Sequence, residues 1–124
     1  MIIITKLKHW LPAIIWAGFI FYLSSLQGVS LPAFPYYDKI AHLSLYLVLG
    51  YFVMMAIVKA HDVRTGTALI VCMIIVTVYG LSDELHQTFV PTRTAEVFDV
   101  LSDIFGGALG ALIYGYKFRY FKKG

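Results

Sequence analysis

The sequence predicts an all-α integral membrane protein, built as a bundle of four transmembrane helices. Of its 124 residues 60% are hydrophobic and 14% are charged, whereas a soluble domain carries about 25% charged residues. Four stretches, 10–37, 40–58, 65–82 and 104–116, contain no lysine, arginine, aspartate or glutamate. Because about 20 apolar residues cross a bilayer as a helix, these stretches predict up to four crossings. They also lack the alternation that membrane strands require.

The charges between these stretches are sorted by sign. With four crossings, eight of the ten lysine and arginine residues fall on one side, and six of the seven acidic residues fall on the other. The positive-inside rule makes the basic side cytoplasmic, so both termini are predicted in the cytoplasm and the acidic residues at the outer face. The net charge of +3 comes from residues that flank membrane segments, and it therefore does not indicate nucleic-acid binding.

Helix 1 is predicted over 10–25, with Pro12 in its first turn, where the missing N–H costs nothing. A cleaved signal peptide is the alternative for this segment, but residues 24–27 offer no small-x-small cleavage site. The whole chain, 1–124, is interpreted as a single domain. Its remaining elements are a turn-rich outer loop at 27–37, helix 2 at 38–58, an inner loop at 59–64, helix 3 at 67–87, an outer loop at 88–94 and helix 4 at 96–116.

Helix 2 opens with polar residues on one face. Asp38, His42 and Tyr46 are four apart, so they form a row that descends about 6 Å with each step. Asp38 by itself fits an N-terminal cap. A histidine within a span indicates either a functional group that faces the bundle interior or a buried side chain bonded to a backbone carbonyl.

Helix 3 ends with a similar group of polar residues. Asp83 and Gln87 share a face, and His86 lies beside them. A solvated helix end is enough to explain Glu84 taken alone, whereas the other three together predict a polar face turned toward the bundle interior. Glu84 is counted with them among the candidate functional residues.

Helix 4 begins with Glu96, Asp99 and Asp103 on one face, and Asp103 lies deepest. Gly106 and Gly110 follow as a small-x-x-x-small seam that allows close helix contact. Asp103 is three residues before Gly106, so it shares this seam and is predicted to face protein.

Together the rows predict one polar cavity near the outer ends of helices 2, 3 and 4. The first turns of helices 2 and 4 point into it and favour an anion. Lys39 and Arg93 are expected at its rim. The planar guanidinium of Arg93 suits a phosphate or carboxylate, and the alternative is an ion pair with Glu96 or Asp99, or contact with a lipid headgroup.

At these residues the chain resembles the VanZ-like family of bacterial membrane proteins. That family is named for a protein associated with resistance to the glycopeptide antibiotic teicoplanin. The resemblance implies a multi-pass protein of the bacterial inner (plasma) membrane that is linked to the cell envelope, and it implies no particular reaction. The matching motifs lie within 38–110: Asp38-Lys39-x-x-His42-x-x-x-Tyr46, Ser82-Asp83-Glu84-x-x-Gln87, Phe89-x-Pro91-x-Arg93 and Asp99-x-x-x-Asp103-x-x-Gly106-x-x-x-Gly110.

Two classes of function fit the predicted cavity. One is a non-catalytic binder of an envelope lipid, a glycolipid or a peptide ligand, with a link to teicoplanin resistance. The partners expected for it are membrane lipids and a lipid-linked envelope precursor or a glycopeptide. The other is a membrane enzyme that acts on a lipid-linked phosphate or glycan by acid–base or metal-assisted chemistry. A divalent metal is the cofactor considered, with His42, Asp83 and Asp103 as candidate ligands. A small transporter subunit is a third alternative, and it would need oligomerisation because four helices leave little room for alternating access.

Overall fold

The computed structural model describes residues 2–25, 37–91 and 97–118, with side chains over 3–25, 39–91 and 97–118. The described chain forms four helices, and the all-helical prediction is confirmed. They are α1 (Ile2–Ser24), α2 (Tyr37–Ala60), α3 (Thr65–Gln87) and α4 (Val97–Lys117).

Three of the helices are long and apolar enough to cross a membrane. The spans are Lys39–Ala60, Thr65–Gln87 and Val97–Lys117, and a crossing by α1 stays a prediction. Ile70, Ile74 and Val78 are 63%, 57% and 60% exposed. They are four residues apart, so α3 presents a continuous apolar stripe of the kind that faces lipid.

The first helix begins earlier than the sequence predicted. It starts at Ile2 instead of at residue 10, and Pro12 lies inside it. The placement of Pro12 in a first turn was therefore wrong. The charged residues Lys6 and Lys8 lie inside α1, because lysine is a good helix former and charge alone does not end a helix.

The closest helix pair is α2 with α4, and glycines make the approach possible. An added Cβ on Gly106 would overlap the carbonyl oxygen of Leu43, and one on Gly110 would overlap that of Leu47. From the other side, an added Cβ on Gly50 would overlap the backbone of Gly107. The two backbones are thus in direct contact along this seam, as small residues allow in membrane bundles.

Helix α1 packs mainly against α2. Ala13 and Ile20 are buried, and the Trp16 indole Nε1 donates to the carbonyl oxygen of Leu45 at 2.8 Å. The interior between α2, α3 and α4 is filled by apolar side chains that include Met54, Cys72 and Val76.

Consecutive helices run in opposite directions, so α1 and α3 finish where α2 and α4 start. We call this the polar end of the bundle, because Ser24, Asp83, Glu84, Gln87, Asp99 and Asp103 are all buried there.

Candidate functional site

A chain of charged groups joins α2 to α4 at the polar end. Lys39 Nζ lies 3.2 Å from Asp99 Oδ1, and Asp99 Oδ2 lies 3.7 Å from His42 Nε2. The other ring nitrogen of His42, Nδ1, is 2.7 Å from Asp103 Oδ1. The His42 side chain is 12% exposed and that of Asp103 is fully buried. Both histidine nitrogens therefore face carboxylates, an arrangement that fixes the orientation of the ring.

The helical repeat and the glycine seam position this chain of groups. Lys39 and His42 are three residues apart on α2, and Asp99 and Asp103 are four apart on α4, so each pair lies on one helix face. Gly106 follows Asp103 by one turn and lies in close contact with the backbone of Leu43, which is the residue after His42. The two faces are thereby held at side-chain contact distance.

A second group of hydrogen bonds surrounds Asp83 on α3. Ser24 Oγ on α1 donates to Asp83 Oδ1, and the Tyr46 hydroxyl on α2 donates to Asp83 Oδ2 at 3.2 Å. The Tyr79 hydroxyl donates to the carbonyl oxygen of Ala17. Asp83 thus ties three helices together, and both of its oxygens accept a hydrogen bond.

Of the remaining polar residues near the end of α3, His86 contacts α1, whereas Glu84 and Gln87 are buried. His86 stacks on Phe21 with ring centroids 4.3 Å apart, and its Nε2 is 2.9 Å from Ser25 Oγ. Glu84 and Gln87 are 6% and 3% exposed. Glu84 therefore points into the bundle, and the solvated helix end that the sequence suggested for it is wrong.

Three ligand atoms of the kind that hold metals converge at the polar end. One atom each from His42, Glu84 and Asp103 lies within 4.8 Å of the others. The sequence proposed Asp83 in place of Glu84, but both oxygens of Asp83 are occupied by Ser24 and Tyr46.

Two site residues expected from the sequence, one in the polar row of helix 2 and one at the rim, lie outside the described residues. These are the side chain of Asp38 and the whole of Arg93, together with its alternative partner Glu96. The structure describes the other rim residue, Lys39, as half-buried.

The model of one protein family, described as VanZ/LLP1, matches residues 7–118. The chain belongs to the VanZ/LLP1 family. Comparison with curated proteins and with solved structures gives no significant match. The resemblance drawn from the motifs of helices 2 to 4 is thereby confirmed, and the match extends it across helix 1.

The sequence had suggested no site residue in helix 1 of this VanZ/LLP1 chain. Ser24 and Ser25 both contact polar groups on α3. The sequence does contain a clue to this contact, because two adjacent serines end helix 1 on the same side of the membrane as the acidic rows. Serines are also common at ordinary helix ends, however, so they do not by themselves indicate a site.

Proposed function

We propose that this VanZ/LLP1 protein crosses the bacterial plasma membrane four times and binds an envelope lipid or lipid-linked ligand with an anionic headgroup. Its termini are cytoplasmic and its polar end faces outward. The three apolar helices and the distribution of basic residues support the topology. The ligand proposal is supported by a groove on the α2–α4 face.

The groove has a volume of about 890 Å³, and it is lined by Lys39 and Leu43 in the first turns of α2 and by a longer stretch of α4. On α4 it extends from Phe98 to Ala108, a rise of about 15 Å for ten residues. The hydrocarbon core of a bilayer is about 30 Å thick, so the groove has the depth of one leaflet. The lining is mostly apolar, and in a membrane such a groove holds an acyl chain.

The proposal depends on the position of Lys39. It lines the groove and also contacts Asp99, so it joins the apolar groove to the buried chain of charged groups. A lipid whose acyl chain lies against Leu43 and Phe105 would bring its headgroup to the level of Lys39. An ammonium at the membrane surface attracts an anionic lipid with about 1 kcal/mol.

A second groove supplies the matched control. It lies on α3, measures about 480 Å³, and is lined by Leu69, Thr77 and other uncharged residues. In a membrane this groove would also contact lipid, but none of the described residues that line it is ionisable, so it should not select a headgroup.

The experiment compares Ala108→Trp, which fills the α2–α4 groove, with Thr77→Trp, which fills the α3 groove. Lipids that copurify with each variant in mild detergent are identified by native mass spectrometry. We expect an anionic lipid bound to the wild type and to Thr77→Trp, and lost from Ala108→Trp. Equal retention by both variants, or a bound lipid without negative charge, would contradict the proposal. Teicoplanin sensitivity of cells that express the same variants tests the link to resistance.

One observation favours catalysis as a second candidate function. His42 and Asp103 form a pair at 2.7 Å, and a histidine oriented by a buried carboxylate is an arrangement used in acid–base catalysis. Asp103→Asn discriminates the two functions. It preserves the shape of the side chain, so lipid binding in the groove should persist, whereas acid–base chemistry on a lipid-linked substrate should be abolished.

A further inference from the structure

We infer that His42, Glu84 and Asp103 form a binding site for a divalent transition-metal ion. The three residues come from three different helices, α2, α3 and α4, and each offers a ligand atom within 4.8 Å of the other two. This inference is independent of the lipid proposed above, because the groove residues and the metal ligands are different side chains.

Asp103 supplies the observation that points to a missing ligand. Its side chain is fully buried, Oδ1 contacts His42, and Oδ2 has no hydrogen-bond partner within residues 3–25, 39–91 and 97–118. Buried polar atoms are almost always satisfied, so an orphaned one indicates that a water molecule or an ion binds there. Among the described residues of this site, the carboxylate therefore has one coordinating oxygen still available.

The orphaned oxygen points toward α3. A Cβ added to Gly80 would lie 3.1 Å from Asp103 Oδ2, so the missing side chain at Gly80 leaves the space that this carboxylate uses. Glu84 is one turn further along the same helix, and it is buried. One oxygen of Glu84 also lies within 4.8 Å of one oxygen of Asp103, so the second carboxylate is close to the same α3–α4 contact.

Charge supports the same conclusion. The described part of the polar end buries four carboxylates, and in the α2–α4 chain the ammonium of Lys39 lies against one of them, Asp99. A divalent cation is favoured at the point where two carboxylates and an imidazole converge, because it offsets the negative charge buried there. The carboxylates are Asp83, Glu84, Asp99 and Asp103.

The donor set selects the class of metal. One imidazole nitrogen with two carboxylate oxygens suits Zn²⁺ or Mn²⁺ better than Mg²⁺ or Ca²⁺, which favour all-oxygen sites. Zinc–ligand bonds are about 2.0–2.2 Å long, so two ligand atoms on one zinc ion are at most about 4.4 Å apart. The observed limit of 4.8 Å requires only a small closing movement of side chains. Three protein ligands leave a coordination position open for water or substrate.

The test uses the full chain, purified without a histidine tag, stripped with a chelator, and titrated with zinc or manganese chloride in a calorimeter. We expect one equivalent to bind per chain and to raise the melting temperature. His42→Gln, Glu84→Gln and Asp103→Asn should each weaken binding at least about tenfold. Gly80→Ala, which removes no ligand, should also weaken binding because the added methyl group crowds Asp103 Oδ2.

Two neighbouring residues of the same chemistry are the matched controls. Asp83→Asn removes the carboxylate next to Glu84, and His86→Gln removes the other histidine of the polar end; both should retain the stoichiometric metal. Absence of binding to the wild type overturns the inference. The inference is also wrong if Glu84→Gln binds the metal as tightly as the wild type. It is equally wrong if Glu84→Gln and Asp83→Asn lose the same amount of metal affinity. X-ray absorption of the loaded wild type, which depends on no variant, should show nitrogen and oxygen ligands and no sulfur.

Discussion

The exchange Gly110→Ala tests whether backbone contact between α2 and α4 holds the bundle together. The added methyl group would overlap the Leu47 carbonyl oxygen and lie 2.7 Å from the Tyr51 nitrogen. Ordinary van der Waals contact for a Cβ begins at 3.4 Å. The helices must therefore separate by at least 0.7 Å, the difference between 3.4 and 2.7 Å, because backbone atoms cannot rotate aside as a side chain would.

The magnitude follows from two opposing effects. Overpacking a close contact costs roughly 1–3 kcal/mol, and the cost lies at the upper end where the neighbours are rigid. Alanine in place of glycine gains up to about 1 kcal/mol of helix propensity. We expect Gly110→Ala to lower the free energy of unfolding by about 1–2 kcal/mol.

The assay is reversible unfolding in mixed detergent micelles, followed by helicity. Gly18→Ala and Gly66→Ala are the controls, because an added Cβ at either position meets no atom within 4 Å. Both controls should be neutral or stabilising, since only the propensity effect remains. If Gly110→Ala proves as stable as the controls, the close α2–α4 approach is wrong and the argument that positions His42 against Asp103 fails with it.

Two further predictions concern the membrane topology and Asp83. Cysteines at the exposed positions Asp62 and Phe89 should label from opposite sides in intact cells, position 89 from outside; outside labelling at 62 would contradict the proposed orientation. Ser24→Ala should destabilise the protein by about 1–3 kcal/mol, because the buried Asp83 carboxylate loses a donor. Tyr46→Phe should lower the free energy of unfolding by about 0.5–1.5 kcal/mol, because it removes a longer hydrogen bond to the same carboxylate. Unfolding free energies equal to that of the wild type would show that Asp83 is satisfied by other groups.

The sequence predicted the helices and the polar rows because both depend on local spacing. Long uncharged stretches indicate membrane helices, and steps of three and four residues place side chains on one face. The position of Asp103 beside the glycine seam was sufficient to predict that it faces protein, and in the structure it is fully buried. Features of this kind need no knowledge of which helices are neighbours.

The different roles of Asp83 and Glu84 could not be predicted in the same way. Adjacent residues on a helix point about 100° apart, so both can be buried against different neighbours in a bundle. Spacing alone does not say which neighbour each one meets. In the structure Asp83 meets α1 and α2 through Ser24 and Tyr46, while Glu84 joins the group formed by His42 and Asp103.

The glycine seam and the polar end depend on each other. Close backbone contact at Gly106 fixes the separation of α2 and α4 one turn away from the His42–Asp103 contact. A lipid-exposed helix pair gains no hydrophobic stabilisation from association, so this contact depends on packing and polar pairing. An apolar seam with larger residues would hold the helices further apart and leave a buried carboxylate without its histidine. The glycines therefore determine whether these ionisable groups can be accommodated, and among the described residues Asp103 Oδ2 is left buried without a hydrogen-bond partner.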